Sequence, residues 1–241
     1  VELAREFARQ GSDLVLVARR EERLVELAER LRDDHGVEAH PIGRDLSEPL
    51  AAEILCEELE RRELRVDVLV NNAGFGARGK VHELPLERQL DMIQLNVTTL
   101  VELTRRLLPP MLERGRGGVL NVSSTAAFLS GPRMSVYFAT KAFVQSFTEG
   151  LHEELRGTGV TATALCPGAT ATEFGAASGM SETPLFERIA VDPGPVARTG
   201  VAAFRAGRAS VVSGVVNKLG VLNTRLIPRA LSRRLVERGL R

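Results

Sequence analysis

Residues 66–74 read Val66-Asp67-Val68-Leu69-Val70-Asn71-Asn72-Ala73-Gly74. The run from 66 to 70 is short, valine-rich and almost continuously apolar, and Asn71, Asn72, Ala73 and Gly74 after it suit a turn. A strand covered on both faces of a parallel sheet reads in this way, because neither face alternates toward water. Outward from this stretch, the same pattern recurs at 14–18, 119–122, 160–165 and 211–216, with 39–42 as a further short strand. Helical periodicity fills the intervals at 21–34, 47–62, 86–113, 135–156 and 193–205. In the second of these Ser47 is the expected N-cap and Pro49 lies in the first turn. Strand and helix in alternation predict an α/β fold, a doubly wound parallel sheet with right-handed crossovers.

At 241 residues and 44% hydrophobic side chains the chain can fill one substantial core, and a single domain over 1–241 is expected. A formal net charge of +1 gives no ground for a nucleic-acid partner. The two cysteines, Cys56 and Cys166, stand far apart, in no disulfide framework and no metal-ligand spacing. No metal is expected, and a reducing compartment is favoured. No apolar run reaches the roughly 18 residues that span a bilayer. No signal-peptide pattern opens the sequence either, so the expected location is cytoplasmic.

The first ten residues have helical spacing, with Leu3 and Phe7, then Ala4 and Ala8, in register and Gly11 at the C-cap position. In a dinucleotide-binding fold such a helix follows a strand and a glycine-rich turn that cradles the pyrophosphate. Neither precedes it here. The expectation is a sheet lacking its first strand and turn, roughly a dozen residues.

Tyr137 is the only tyrosine and Lys141 one of three lysines, and they lie four apart in Tyr137-Phe138-Ala139-Thr140-Lys141. That spacing puts both on one helix face. An ammonium there favours phenolate, bringing a pKa of about 10 toward the working range. Such a tyrosine gives a proton to a carbonyl oxygen or takes one from an alcohol. The plain alternative is a chance pair on a solvated helix. Asn121-Val122-Ser123-Ser124 ends a buried strand, where open α/β sheets bind ligands. The Ser124 hydroxyl can hydrogen-bond a substrate oxygen, although a helix cap explains a serine pair as well. Asn96 sits in a helical pattern that asparagine does not favour, which fits a tertiary role or a buried amide satisfying backbone. Pro167-Gly168 closes the strand at 160–165 and admits either a plain turn or the backbone face of a flat ligand.

In this order and spacing, Asn71–Gly74, Asn96, Ser124, Tyr137, Lys141 and Pro167-Gly168 make the chain resemble the single-domain short-chain dehydrogenases/reductases, a Rossmann-like family, over essentially its whole length. The family serine lies thirteen residues before the tyrosine, which selects Ser124 over Ser123. The resemblance implies Tyr137 as general acid/base, with Lys141 lowering its pKa and holding the nicotinamide ribose. It implies Ser124 as the group that orients the substrate carbonyl, and Asn96 as holder of a water in a proton relay through Lys141. Asn71, Ala73 and Gly74 would line the cofactor side, with Asp45 near adenine. Backbone at Thr170 would meet the carboxamide, Thr172 the phosphates, and Pro167 and Gly168 would flank the cofactor. The family's Gly-x-x-x-Gly-x-Gly turn is not among these residues.

NAD enzymes of this fold place an acidic residue at the end of the second strand to hold the ribose 2′-hydroxyl. Here Ala18 stands there, followed by Arg19 and Arg20, whose guanidinium groups suit a 2′-phosphate. NADP(H) is therefore the expected cofactor. Residues 173–190, with Gly175, Gly179, Met180 and Phe186, are read as a substrate lid, and the mixture of alanine, methionine and phenylalanine there suggests an apolar substrate. From Lys218 to the end, Leu219, Leu222, Leu226, Leu231 and Leu235 stand among seven basic side chains, and Pro228 divides this basic amphipathic tail into two short helices. Packing on the domain or on another subunit, and peripheral membrane contact, both suit it.

The expected function is an oxidoreductase moving a hydride between NADP(H) and a carbonyl or alcohol, with an apolar ketone, aldehyde or 3-oxoacyl compound as substrate. The alternative is a non-catalytic binding or regulatory protein that lost its phosphate-binding loop. A sugar-nucleotide epimerase shares the Tyr-x-x-x-Lys pair but is usually longer. The family also implies a homodimer or homotetramer built on the helices holding Asn96 and Tyr137.

Overall fold

The computed structural model of the chain describes residues 1–180, 189–224 and 226–239. Helix α1 (Glu2–Ala8) leads into β1 (Leu14–Ala18), α2 (Glu21–His35), β2 (Ala39–Gly43), α3 (Ala51–Arg61) and β3 (Val68–Asn71). Next come α4 (Leu86–Ile93), a single π-helical turn (Gln94–Thr98), α5 (Thr99–Arg114) and β4 (Gly117–Val122). A short 3-10 turn (Thr125–Phe128), α6 (Ser135–Glu154), β5 (Val160–Cys166) and α7 (Glu173–Ser178) follow. The chain continues with α8 (Pro193–Arg205), β6 (Ser210–Val212), α9 (Val215–Thr224) and α10 (Arg229–Gly239).

All strand pairs are parallel, in two ladders: β1 with β2, and β3-β4-β5-β6. Among the described residues no ladder joins β1 to β3. The side-chain layers nevertheless run across this division. Val15 and Val17 of β1 share one apolar cluster with Val66 and Leu69 beside and on β3. Leu14 shares another with Val68, Val70 and the buried Phe7 of α1. Phe7 meets Phe204 of α8 edge-on, centroids 6.3 Å apart, a geometry worth roughly 0.5–1.5 kcal/mol beyond its buried area. Val119 and Leu120 of β4 are fully buried, whereas Val68, Leu69 and Val70 are only half-buried.

Most boundaries shift by one or two residues, β3 for instance running Val68–Asn71 in place of 66–70, and three differences are larger or have a local cause. The helix expected over 47–62 starts at Ala51, because Ser47 donates its N–H (2.9 Å) and hydroxyl (2.6 Å) to Asp45 Oδ1. Leu50 then takes a left-handed conformation that no helix continues through. The pattern at 86–113 breaks into two helices around the π turn that holds Asn96. The run 211–216 is strand only to Val212, since Gly214 turns the chain at φ 81 and Val215 opens α9.

Because the strands are parallel, their C-terminal ends lie along one edge. Arg19–Arg20, Asn71–Gly74, Ser123–Ser124, Pro167–Gly168 and Ser213–Asn217 are thereby gathered on the same side of the molecule.

Candidate active site

Where β4 ends, Ser124 caps the 3-10 turn, accepting a hydrogen bond from the Ala126 N–H at 3.1 Å. Its hydroxyl also reaches the Pro167 carbonyl at 3.5 Å and lies close enough to the Tyr137 hydroxyl to favour its phenolate. The cap reading and the site reading of this serine thus hold together. Ser123 turns the other way, donating to the Lys141 carbonyl at 3.1 Å.

Tyr137 and Lys141 lie on the inward face of α6, and both are buried. Lys141 Nζ donates to the Val122 carbonyl at 2.8 Å and stands 6.0 Å from the centre of the Tyr137 ring. The electrostatics differ from the sequence expectation. Burial pushes the Tyr137 phenol up to about 12, although the Ser124 hydroxyl pulls it down in part. Burial also brings Lys141 down to about 8. Desolvation disfavours both charged forms here, and it outweighs any stabilisation of phenolate by the ammonium.

Asn96 uses its side chain to fasten the loop after β3. Its Oδ1 accepts from Phe75 N–H at 3.1 Å, and its Nδ2 donates to the Phe75 carbonyl at 3.0 Å and Thr140 Oγ1 at 3.1 Å. These bonds draw the backbone of Gly74 so close that a Cβ there would stand 2.9 Å from Asn96 Oδ1 and 3.6 Å from Lys141 Nζ. One position behind the loop, Asn71 Nδ2 donates to Asn121 Oδ1 at 2.9 Å, and Asn121 Nδ2 to Thr148 Oγ1 at 2.9 Å. The Asn71 side chain therefore ties β3 through β4 to α6, leaving Ala73 and Gly74 as the loop's exposed backbone toward Lys141.

Beyond β5, the Pro167 carbonyl accepts from Thr125 N–H at 2.8 Å. Thr170 bridges Val191 and donates to the Gly168 carbonyl at 3.0 Å, while Thr172 occupies the N-cap position of α7. Gly168 packs so tightly on Asn217 that a Cβ would come within 2.5 Å of its amide. Helix α7 then lies over Tyr137, with the Phe174 and Tyr137 rings 5.3 Å apart. Met92, Met134 and Met180 complete an apolar wall, joined by Val236 of the C-terminal helix α10. The lid reading at 173–180 falls on this wall. Residues 181–188, with Phe186, lie outside the described residues.

At the far end of the same edge, Arg19 Nη1 stands 3.8 Å from Asp45 Oδ2. Arg20 and Arg23 both pair with Glu173 at the start of α7. The sequence reading passed over Arg23 and the carboxylate that joins it to Arg20. The spacing of Arg20 and Arg23 in the first turn of α2 was the available signal.

These residues fit a phosphorylated dinucleotide at the arginine end, where three arginines offer bidentate donors for a phosphate. At the other end the missing Cβ of Gly74 lets Asn96 and Lys141 pack against the loop backbone.

Comparison with known proteins agrees with this arrangement. The family model for short chain dehydrogenases matches residues 1–182. A sulfoacetaldehyde reductase 2 from Chromohalobacter salexigens is 37% identical over 225 residues, 92% of this chain and 88% of that one. An NADP-dependent 3-hydroxy acid dehydrogenase of Escherichia coli (strain K12) is 36% identical over 174 residues, 71% of this chain and 68% of that one. Among solved structures, one described under 7beta-hydroxysteroid dehydrogenase stereoselectivity superposes with a TM-score of 0.87 at 30% identity, covering 98% of this chain and 91% of the other. A short-chain dehydrogenase from Sphingobium yanoikuyae in complex with NADPH gives 0.82 at 32% identity, covering 93% and 88%. By its strand-end site and by this similarity, the chain belongs to the short chain dehydrogenase family.

Proposed function

We propose that this protein is an NADP(H)-dependent oxidoreductase that interconverts an apolar carbonyl compound and its alcohol. The observation that carries the reading is the meeting of the Ser124 and Tyr137 hydroxyls beside the buried Lys141, at the C-terminal edge of a parallel sheet. The NADPH complex of the Sphingobium yanoikuyae enzyme and the NADP-dependence of the Escherichia coli relative support the cofactor.

A bound reduced nicotinamide supplies the hydride that adds to the carbonyl carbon. Tyr137 keeps its proton at neutral pH, since burial holds its phenol near 12. It is therefore a proton donor, and it gives that proton to the carbonyl oxygen as the C=O electron pair moves onto oxygen. The Ser124 hydroxyl donates a second hydrogen bond to the same oxygen and fixes its position. Lys141, cationic below about 8, stabilises the resulting phenolate from one helical turn away. Asn96 acts through the loop, holding Phe75 and Gly74 against Lys141. Run backward, the same groups oxidise the alcohol. The wall of Met92, Met134, Phe174, Met180 and Val236 favours an apolar ketone, aldehyde or 3-oxoacyl compound. Helix α7 must swing from Tyr137 to admit it.

Arg19, Arg20 and Arg23 take the 2′-phosphate, with Asp45 beside Arg19 toward the adenine end. Ala73 and Gly74 line the nicotinamide ribose, and the backbone of Pro167, Gly168 and Thr170, with Thr172, follows the cofactor along the edge. A homodimer or homotetramer forms through α5 and α6, where Phe143 is exposed and stacks on Phe147 at 5.8 Å.

An NADPH-consumption screen over aldehydes, ketones and 3-oxoacyl thioesters tests the reading, paired with Tyr137→Phe. The variant should keep its circular dichroism and lose turnover. Retained turnover rejects Tyr137 as the proton donor, and equal turnover with NADH rejects the cofactor preference. The alternative reading, a binding protein without catalysis, predicts cofactor binding with no substrate consumed anywhere in the screen.

A further inference from the structure

Helices α9 and α10 bury none of their residues, although both carry an apolar stripe. On α9, Leu219 and Leu222 are 57% and 56% exposed, and Leu226 in the turn after it 77%. On α10, Leu231 and Leu235, one helical turn apart, are 49% and 50% exposed. Packing on the domain, one of the expectations for this tail, holds for Val236, which reaches the wall beside Tyr137. The leucines find no such place.

The charge on the same segment decides between the remaining occupants. From Lys218 to Arg241 there are seven lysines and arginines against one acidic residue, Glu237. Two copies of such a face brought together repel, because each presents the same sign. An anionic lipid surface attracts it and takes the leucines into the boundary between headgroups and acyl chains. At ten and eleven residues neither helix can cross a bilayer, and no described helix is long and apolar enough to do so. We propose that α9 and α10 form a docking face for an anionic phospholipid bilayer, on which the protein lies without spanning it. The face adjoins the candidate site on two sides, through Asn217 against Gly168 and through Val236.

The test uses the full chain and large unilamellar vesicles, either of phosphatidylcholine alone or of phosphatidylcholine with phosphatidylglycerol. The protein should co-sediment with the anionic vesicles, far less with the neutral ones, and be released at high salt. Arg233→Gln should weaken partitioning roughly fivefold, the effect of one basic residue near such a surface. Leu231→Glu with Leu235→Glu should abolish it while circular dichroism stays that of the parent. No sedimentation with anionic vesicles overturns the proposal, as does equal binding by the double variant. Loss of dimer mass in that variant, without vesicle binding by the parent, assigns the face to a second copy instead. None of these readouts depends on turnover, so failure of the proposed reaction leaves them intact.

Discussion

The Phe174 ring rests on the Tyr137 ring with 5.3 Å between centroids and planes tilted by 43°. This contact helps hold the only tyrosine of the chain out of water, where its phenol is pushed up to about 12. Phe174→Ala should let water reach the hydroxyl and bring its midpoint down toward about 10. The phenolate absorption band reports it without background, because the chain has one tyrosine and no tryptophan. An unchanged midpoint would show that α7 is not what dehydrates Tyr137.

Glu173 pairs with Arg20 and Arg23, two of the arginines proposed to take the 2′-phosphate. A carboxylate and a phosphate then compete for the same guanidinium groups. Glu173→Gln should tighten NADPH binding roughly two- to fivefold, the scale of exposed ion pairs, and leave NADH binding unchanged. Isothermal titration calorimetry with both cofactors measures this. Equal effects on both would separate Glu173 from the 2′-phosphate.

Lys141 carries a pH dependence of known sign. Its pKa falls from 10.5 in the unfolded chain to about 8 in the fold because burial penalises the ammonium. Between those values the unfolded chain binds more protons, so stability rises with pH. The cost of the buried charge is fully present below about 8 and gone above 10.5. Lys141→Met removes it altogether. The stability of the parent relative to this variant should therefore climb by about 3 kcal/mol across that window, at roughly 1.4 kcal/mol per pKa unit. Urea unfolding of both proteins along the pH range reads the difference, and a flat difference would refute the assignment.

Asn121 is fully buried between Asn71 and Thr148. Replacing it by Ala removes one hydrogen bond from each partner, while Asn71 Nδ2 still reaches Thr104 Oγ1 at 3.3 Å and Thr148 Oγ1 the Val144 carbonyl at 2.6 Å. The loss should be about 1–3 kcal/mol, from two hydrogen bonds at roughly 0.5–1.5 kcal/mol each. Urea denaturation at neutral pH measures it, and a midpoint equal to the parent's would mean that Asn71 and Thr148 find other partners.

Much of this was readable residue by residue. Short valine-rich runs closed by Asn, Gly or Ser marked β3, β4 and β5, because strands buried on both faces need continuous apolar sequence. The four-residue step from Tyr137 to Lys141 marked a shared helix face, and that holds in any α-helix. The end of β6 was less legible. Val215 and Val216 look like strand, but Gly214 turns the chain and both become exposed helix residues. Ser47 looked like a helix cap until Asp45 took its donors.

Local spacing thus determined which residues share a face or end a strand, since helix and strand periods are properties of the backbone itself. Only the tertiary structure decided the electrostatics and the long-range pairs. Burial of Tyr137 depends on Phe174 and Met92 arriving from elsewhere in the chain, and desolvation reversed the shift that the spacing of Tyr137 and Lys141 alone implied. The partnership of Arg20 with Glu173 spans 153 residues, a distance across which no sequence period carries information.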